Sequence, residues 1–320
     1  MGTPEFALPA FEALSNDQAK RFEVCLVLSK PDVPTGRGLR TTPSEISQAA
    51  TATGIELMQP IQLKGREYET VLERIAELRI DIGVVAAYGM LLTQELIDAP
   101  RLGTVNIHAS LLPRWRGAAP IERAILAGDA ETGVSIQQVR LRLDSGPIYS
   151  LSSTPIGVKS YNELLDELGQ LGAALLCECL VDIVSGRLTP VEQNEGLTTY
   201  AEKLTRNELS LDPALSAVDN FRRVQAASKR NPARAVIAER SVRVLKARLV
   251  TDVVPLGQPL PIGRMAWQHL TDTLLLGTTD GLLGIEELAP DGKLPMSAGE
   301  FVRGLHLAAD DSRLVWSTWT

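Results

Sequence analysis

Residues 81–89, DIGVVAAYG, are apolar at successive positions and therefore have no polar face. A strand with this pattern must be covered on both sides, as the central strand of a parallel sheet is. Helical segments precede and follow it in the chain; residues 67–78, for example, place their apolar side chains on one helical face. This alternation of strands and helices predicts an α/β fold with a Rossmann-like, doubly wound parallel sheet.

The C-terminal third of the chain has a different pattern. Short β-rich runs, among them 242–250 and 273–277, follow one another without intervening helices and are separated by Gly and Pro. Closely spaced strands of this kind predict a smaller β-rich barrel that is similar to an OB fold. The polar stretch between the two patterns has no sustained apolar period. We therefore predict an α/β domain at 1–186, a linker at 187–206 and a β-rich domain at 207–320.

The composition is that of a globular protein without a disulfide framework. Of the 320 residues, 44% are hydrophobic and 22% are charged, which is an ordinary balance. The apolar runs are too short to cross a membrane, and the N-terminus shows no secretory signal. Cys25, Cys177 and Cys179 are too few for a disulfide framework and lack metal-ligand spacing with the histidines. These features predict a cytoplasmic protein that uses no metal ion and does not contact a membrane.

Positive charge is concentrated in one segment of an otherwise acidic chain. The formal net charge is −7, yet residues 221–248 contain nine Lys or Arg residues and a single acid, Glu239. Such a segment is either a solvated face or a surface that contacts the phosphate backbone of a nucleic acid. The candidate contacts are Arg222, Arg223, Lys229 and Arg230.

The stretch 103–120, GTVNIHASLLPRWRGAAP, places two polar side chains at the end of a strand. A short β-branched run leads into Asn106-Ile107-His108, and the chain then enters a loop that contains Pro and Gly. Because side chains alternate along a strand, Asn106 and His108 lie on one face, about 7 Å apart, and Ile107 points the other way. In open α/β sheets, ligands bind at the carboxyl ends of the strands. The pair is therefore either a strand cap or part of a ligand site.

Together with Leu143-Asp144-Ser145-Gly146, this stretch resembles the 10-formyltetrahydrofolate-dependent formyltransferases. The opening GTPEFALP, the sequence SLLPRWRGAAPI and the sequence YAEKL at 200 are similar to the members that act on methionyl-tRNA. The resemblance covers nearly the whole chain. It implies that Asn106, His108 and Asp144 are catalytic, that 10-formyltetrahydrofolate is the donor, and that initiator methionyl-tRNA is the acceptor.

Formyl transfer to an amine has a use for each of these three side chains. Attack of the amine on the formyl carbon places negative charge on oxygen, which the amide of Asn106 can stabilise by donating an N–H. His108 can accept or relay the proton of the amine near neutral pH. Asp144 would fix the tautomer of the imidazole and stabilise its charged form, although an aspartate in such a turn also commonly bonds its own backbone. The chemistry requires no covalent nucleophile and no metal ion.

The resemblance also implies which residues contact the folate. It assigns this role to the loop Ser110-Leu111-Leu112-Pro113 and to Tyr88-Gly89, which ends the central strand. The apolar side chains of Leu111 and Leu112 fit a position in the protein core as well as they fit a folate contact. We expect backbone and apolar contacts to the folate from these two segments.

Two further segments carry cations that suit a polyanionic substrate. The composition of residues 29–43 predicts a loop without regular structure. The resemblance implies that this loop enters the acceptor stem of the tRNA, with contacts from Arg37 and Arg40. Arg114 and Arg116 follow the Asn106–His108 strand and predict a basic rim beside the site.

Several alternatives stay open at the level of sequence. The same trio occurs in relatives that formylate another amine, such as a sugar nucleotide or glycinamide ribonucleotide, or that hydrolyse the donor. A catalytically silent RNA-binding relative is also possible, because family members carry a strand before the GTP turn at which this chain begins. We therefore expect the first strand of the sheet to be missing. No strongly apolar helix indicates an obligate dimer, so a monomer is predicted.

Overall fold

The computed structural model describes residues 1–2, 5–35, 40–250, 260–306 and 312–319. The chain divides into two compact units. Unit 1 comprises Met1–Pro120, Ala130–Pro155 and Glu163–Glu202, and unit 2 comprises Ile121–Asp129, Ile156–Asn162 and Lys203–Thr320. Residues 187–202, which the sequence analysis assigns to a linker, thus lie in unit 1.

The helices and strands alternate in the first part of the chain. The helices are α1 (Leu8–Ser15), α2 (Glu45–Thr53), α3 (Gly65–Glu77), α4 (Gln94–Asp98), α5 (Pro120–Ala127) and α6 (Tyr161–Val184). The strands are β1 (Leu26–Leu28), β2 (Val33–Thr35), β3 (Arg40–Thr42), β4 (Glu56–Met58), β5 (Gly83–Ala86), β6 (Thr104–His108), β7 (Arg116–Gly117), β8 (Glu131–Gln138), β9 (Ile148–Pro155) and β10 (Tyr200–Ala201).

Unit 1 contains the predicted parallel α/β core. β1 pairs in parallel with β4, and β5 pairs in parallel with β6. β8 pairs antiparallel with β6, and β9 pairs antiparallel with β8, so that the strand order is β5-β6-β8-β9. The Rossmann-like fold is confirmed, with two antiparallel strands that extend the sheet beyond its parallel part.

Met1 and Gly2 hydrogen-bond to two strands of this core. The Met1 ammonium donates to the carbonyl of Val84 at 2.6 Å, and the Met1 carbonyl accepts from the N–H of Ala86 at 2.9 Å. The N–H of Gly2 donates to the carbonyl of Leu28 at 3.1 Å. A cavity of about 720 Å³ borders Met1 and Gly2; residues 20–25 and 78–82 line it together with side chains of α1, β1 and α6.

The longest helix covers the back of β6. The amphipathic pattern of the sequence predicts a helix over Tyr161–Val184, and α6 has these bounds. A Cβ atom on Gly172 of α6 would lie 2.7 Å from Cγ2 of Ile107, so the helix approaches the strand closely at this glycine. Because Ile107 packs towards α6, the side chains of Asn106 and His108 are on the opposite face of β6.

The loop predicted over residues 29–43 contains a short ribbon, in contrast to that prediction. β2 pairs antiparallel with β3 over three residues each. A two-stranded ribbon leaves one edge of each strand without a partner, so it tolerates the proline at position 34. The sequence pattern missed this ribbon because its prolines and glycines argue against sheet structure.

Unit 2 is the predicted β-rich barrel-like domain. Its elements are α7 (Ala217–Gln225), β11 (Ala233–Ile237), β12 (Arg240–Leu249), β13 (Met265–Gln268), β14 (Thr273–Gly277), β15 (Leu282–Pro290), β16 (Met296–Ser297), α8 (Ala298–Arg303) and β17 (Trp316–Ser317). The strand order is β13-β14-β15-β12-β11-β17, all antiparallel. A bridge between Arg264 and Val315 joins the two ends of this order, so the sheet curls on itself.

The core of unit 2 lies inside this curled sheet. Side chains from every long strand contribute to it, and Phe301 of α8 and Val224 of α7 cover its ends. β15, which the sequence analysis did not predict, crosses the middle of the sheet with Leu283, Ile285 and Leu288 fully buried. The two adjacent glutamates in this strand obscure its alternating pattern.

Candidate active site

The end of β6 presents two polar side chains on one face of the sheet. Asn106 lies opposite Gln137 of β8, and His108 lies opposite Ser135. The Asn106 side chain is partly exposed, and its amide has no hydrogen-bond partner among the described residues. His108 is 6% exposed. The face therefore offers an amide that is available as a donor, next to a nearly buried imidazole.

Asp144 completes the predicted trio. The turn between β8 and β9 brings its Oδ1 to 3.6 Å from Nδ1 of His108. Oδ2 of Asp144 accepts the backbone N–H of Gly117 at 3.0 Å, and Oδ1 accepts an N–H from the Gln137 amide at 3.0 Å. The carboxylate thus has a donor on each oxygen, and these two donors hold it beside the imidazole.

Both ring nitrogens of His108 face oxygen atoms. Nε2 is 2.9 Å from the carbonyl oxygen of Trp115, which can only accept a hydrogen bond. Nδ1 faces the carboxylate of Asp144. When the ring carries a proton on each nitrogen, both N–H groups therefore have an acceptor in place. These two neighbours hold the ring in one orientation.

The turn that carries Asp144 is conformationally demanding. Asp144 has φ +47°, in the left-handed region, which costs a non-glycine residue roughly 1–2 kcal/mol. A Cβ atom on Gly146 would lie 1.7 Å from the carbonyl oxygen of Gln138, so only glycine fits at this position. The placement of the carboxylate therefore depends on the close packing of the 144–146 turn against the end of β8.

The predicted folate loop is fixed at its start. Ser135 accepts the N–H of Leu112 at 3.0 Å and donates to the carbonyl of Ser110 at 2.6 Å. The hydroxyl of Ser110 donates to the carbonyl of Arg114 at 2.6 Å. Ser110 and Leu112 are buried, whereas Leu111 and Pro113 are partly exposed. The structure thus holds the loop in one shape immediately after β6.

The second predicted folate segment, Tyr88-Gly89, has one buried residue and one exposed residue. Tyr88 is 1% exposed and belongs to the core around β5 and α3. Burial raises the pKa of its phenol to about 12, so it stays neutral near pH 7. Gly89 is exposed, with φ +71° and the ammonium of Lys30 beside it. Only Gly89 of this pair is open to a ligand.

Arg116 is not part of a basic rim, in contrast to the prediction. Its side chain is 1% exposed. Nε and Nη2 donate to Oε1 of Gln193 at 2.9 and 2.8 Å, and Nη2 donates to Glu195 at 2.8 Å. The Arg116 guanidinium lowers the pKa of the Glu195 carboxyl.

The sequence analysis missed two glutamines near Asp144, Gln137 and Gln193. The position of Gln137 on the strand that pairs with β6 could have indicated it as a site residue. No comparable sequence signal marks Gln193.

The predicted nucleic-acid contacts have different environments. Lys229 and Arg230 are exposed and have no ion-pair partner in the described part of the chain. Nη1 of Arg222 lies 3.6 Å from Oδ1 of Asp219. Arg223 donates to the carbonyl of Ser210, and burial lowers the pKa of its guanidinium. Of the two predicted loop residues, Arg37 lies outside the described residues and only the backbone of Arg40, in β3, is described.

The described residues offer no group of side chains with the composition of a metal site. Within residues 1–2, 5–35, 40–250, 260–306 and 312–319, no group of three His, Cys, Asp or Glu side chains could hold a metal ion. The three cysteines are free, and burial raises the pKa of each thiol. None of the described helices has the length and apolar character that a membrane span needs.

The chain matches two models of protein families. Residues 1–179 match the model described as formyl transferase, and residues 203–306 match the formyl transferase C-terminal domain. The chain belongs to the formyl transferase family. The match covers both the unit that carries the trio and most of the β-rich unit.

Relatives of known name align with this formyl transferase over almost its full length. The methionyl-tRNA formyltransferase of Methylococcus capsulatus (strain Bath) is 42% identical over 308 residues, 96% of each chain. That of Halorhodospira halophila is 39% identical over 307 residues, 96% of this chain and 95% of the relative. An N-formyltransferase from Helicobacter canadensis, solved with folinic acid and dTDP-3-aminofucose, has a TM-score of 0.61 at 15% identity. The superposition covers 89% of this chain and 96% of that one, and it shows the shared fold.

We predict that Gly146→Ala reduces formyl transfer by about 10²-fold, since a displacement of about 1 Å at a catalytic group costs that much. The new methyl group would collide with the Gln138 carbonyl, so the turn and the Asp144 carboxylate must move. The measurement is the single-turnover rate at saturating substrates. Gly281→Ala is the control, because a Cβ atom there would meet only Ala217, at 3.8 Å. A wild-type rate in Gly146→Ala would show that the position of the turn does not matter.

Proposed function

We propose that this chain transfers the formyl group of 10-formyltetrahydrofolate to the α-amino group of methionine esterified to initiator tRNA. The observation that carries the proposal is that the Asn106 amide, which has no hydrogen-bond partner among the described residues, lies on the same face of β6 as an imidazole that Asp144 supports. The relatives named methionyl-tRNA formyltransferase, about 40% identical over nearly the whole chain, support this choice of acceptor.

Each member of the trio has one task in this reaction. The donor supplies the formyl carbon, to which the amine nitrogen bonds as the bond from that carbon to N10 of the folate breaks. The Asn106 amide donates to the formyl oxygen while that oxygen carries negative charge. His108 takes the proton that the amine loses and returns it to N10. Asp144 stabilises the ring while it is charged and keeps Nδ1 directed at the carboxylate.

We propose that the donor binds along the loop Ser110-Leu111-Leu112-Pro113 and beside Tyr88-Gly89. The hydrogen bonds of Ser135 to the loop support this, because a fixed loop loses little conformational entropy on binding. Leu112 and Tyr88 are the buried members of these two segments, and their burial anchors the segments to the protein. Gly89 is exposed, and Leu111 and Pro113 are partly exposed, so these three residues are open to the donor.

We propose that the cations of unit 2 and the loop that contains Arg37 and Arg40 contact the phosphate backbone of the tRNA. Lys229 and Arg230 are the best supported, because both are exposed and lack an ion-pair partner in the described residues. Arg222 and Arg223 have protein partners and would need to exchange them. Contacts of this type neutralise phosphates and weaken as salt concentration rises.

We also propose that the chain acts as a cytoplasmic monomer. Its free thiols fit a reducing compartment. The trio comes from β6 and one turn of a single chain, so a second copy is not needed to complete the site.

We predict that His108→Ala reduces the single-turnover rate of formyl-methionyl-tRNA formation by about 10²- to 10⁴-fold, the usual contribution of a general acid or base. The affinity for methionyl-tRNA should stay within about twofold, because the imidazole is nearly buried and its two ring nitrogens face Trp115 and Asp144 of the protein. His269→Ala, an exposed histidine of unit 2, is the control.

The same assay separates the alternatives. Formyl-methionine released from the product tRNA supports the proposal. Formylation of a sugar nucleotide or glycinamide ribonucleotide instead would identify another acceptor, and donor loss without an acceptor would identify a hydrolase. Binding of tRNA without turnover by the wild-type chain would indicate a silent relative.

We predict that replacing both Lys229 and Arg230 by Ala raises the KM for methionyl-tRNA and leaves the rate at saturating tRNA unchanged. Each lost phosphate contact should lower the slope of log affinity against log salt concentration by roughly 0.7–0.9. The matched control is the double replacement of Lys64 and Arg66, two exposed cations of unit 1. An equal salt slope in the two double variants would remove Lys229 and Arg230 from the interface.

A further inference from the structure

Arg116 is an unusual residue to find inside a protein, because its guanidinium is charged and its side chain is 1% exposed. Such a group must have its donors satisfied. Two of its nitrogens donate to the same atom, Oε1 of Gln193, and two donate to Glu195, a residue exposed to solvent. Since arginine only donates, the atom of Gln193 that faces it must be the oxygen. Arg116 therefore fixes which way round the Gln193 amide lies.

The nitrogen of that amide consequently faces the turn that carries Asp144. Nε2 of Gln193 donates to the carbonyl of Gly146 at 2.7 Å and to the carbonyl of Asp144 at 2.9 Å. The two protons of the amide thus bind both ends of the three-residue segment 144–146. This segment includes the left-handed φ of Asp144, which costs free energy and persists only if neighbouring groups hold it.

Gln137 lies next to the Gln193 amide and also contacts Asp144. Its Oε1 lies 3.4 Å from Nε2 of Gln193, and its own Nε2 donates to Oδ1 of Asp144 at 3.0 Å. Oδ1 is also the atom nearest to Nδ1 of His108. Both amides therefore act on Asp144: Gln193, oriented by Arg116, binds the backbone of the turn, and Gln137 binds the carboxylate oxygen that faces the imidazole.

We propose that Gln193 is a positioning residue for formyl transfer: its amide, oriented by Arg116, holds the 144–146 turn so that the Asp144 carboxylate stays beside Nδ1 of His108. The inference rests on the proposed function, because it assigns Gln193 a part in that reaction. The same segment of the chain supports Asp144 a second time, since β10 pairs with β7, whose Gly117 donates to the Asp144 carboxylate.

The variant Gln193→Glu tests this with little change in volume. It keeps an oxygen for Arg116 but removes both amide donors to the turn. We expect kcat to fall by about 10²-fold, as for a catalytic group displaced by about 1 Å, with KM for both substrates within twofold of wild type. Gln193→Met, which removes the donors without adding charge, should give the same fall and decides the matter if the Glu variant does not fold.

Gln225→Glu is the matched control, because Gln225 is also buried and also donates to two carbonyls, those of Gly157 and Lys159, at 3.1 Å each. Its replacement should lower the melting temperature and leave kcat unchanged. A role confined to stability would make the two glutamate variants alike in kcat, which would overturn the inference.

A second readout places the effect on Asp144. In an Asp144→Ala background, Gln193→Glu should cause no further loss of single-turnover rate, because the group that it positions is gone. An undiminished loss in that background would overturn the inference, as would a wild-type kcat in Gln193→Glu. A wild-type chain that formylates no methionyl-tRNA would instead contradict the proposed function.

Discussion

The structure of the site depends on the two hydrogen bonds that hold the Asp144 carboxylate beside His108. Gly117 and Gln137 each donate to one carboxylate oxygen at 3.0 Å. A buried carboxylate needs such donors, since an ionised group without them costs several kcal/mol. The backbone meets this need with a turn in which one residue is left-handed and one, Gly146, must be glycine. The imidazole thereby faces a fixed charge rather than solvent.

The sheet supplies the other half of the arrangement. Alternation along β6 directs Ile107 into the packing against Gly172 of α6, which leaves Asn106 and His108 on the face that the loops cover. Packing on one face of β6 thus sets the direction of the two polar side chains on the other face. Because the amide of Asn106 makes no hydrogen bond to the described part of the chain, it can donate to a substrate oxygen without breaking a bond seen there.

Much of this could be predicted from sequence because it depends on local periodicity. The shared face of Asn106 and His108 follows from the two-residue repeat of a strand, and helix α6 follows from its apolar spacing. Gln193 could not be found in this way, because its partner Arg116 is 77 residues away and a glutamine carries no pattern of its own. The prediction that Arg116 belongs to a basic rim failed for the same reason: a buried arginine is distinguishable from an exposed one only by its distant partners. The β2–β3 ribbon was missed because its prolines argue against a strand, and an edge ribbon tolerates them.

The central claim is that Asn106, His108 and Asp144 surround one carbonyl-sized space. The most direct test is a crystal structure of this chain with 10-formylfolate, the oxidised and stable form of the donor. We expect the formyl oxygen within about 2.7–3.2 Å of Nδ2 of Asn106, with His108 on the side from which an amine can approach the formyl carbon. A formyl group bound elsewhere, or an Asn106 amide bonded to protein in that complex, would contradict the account.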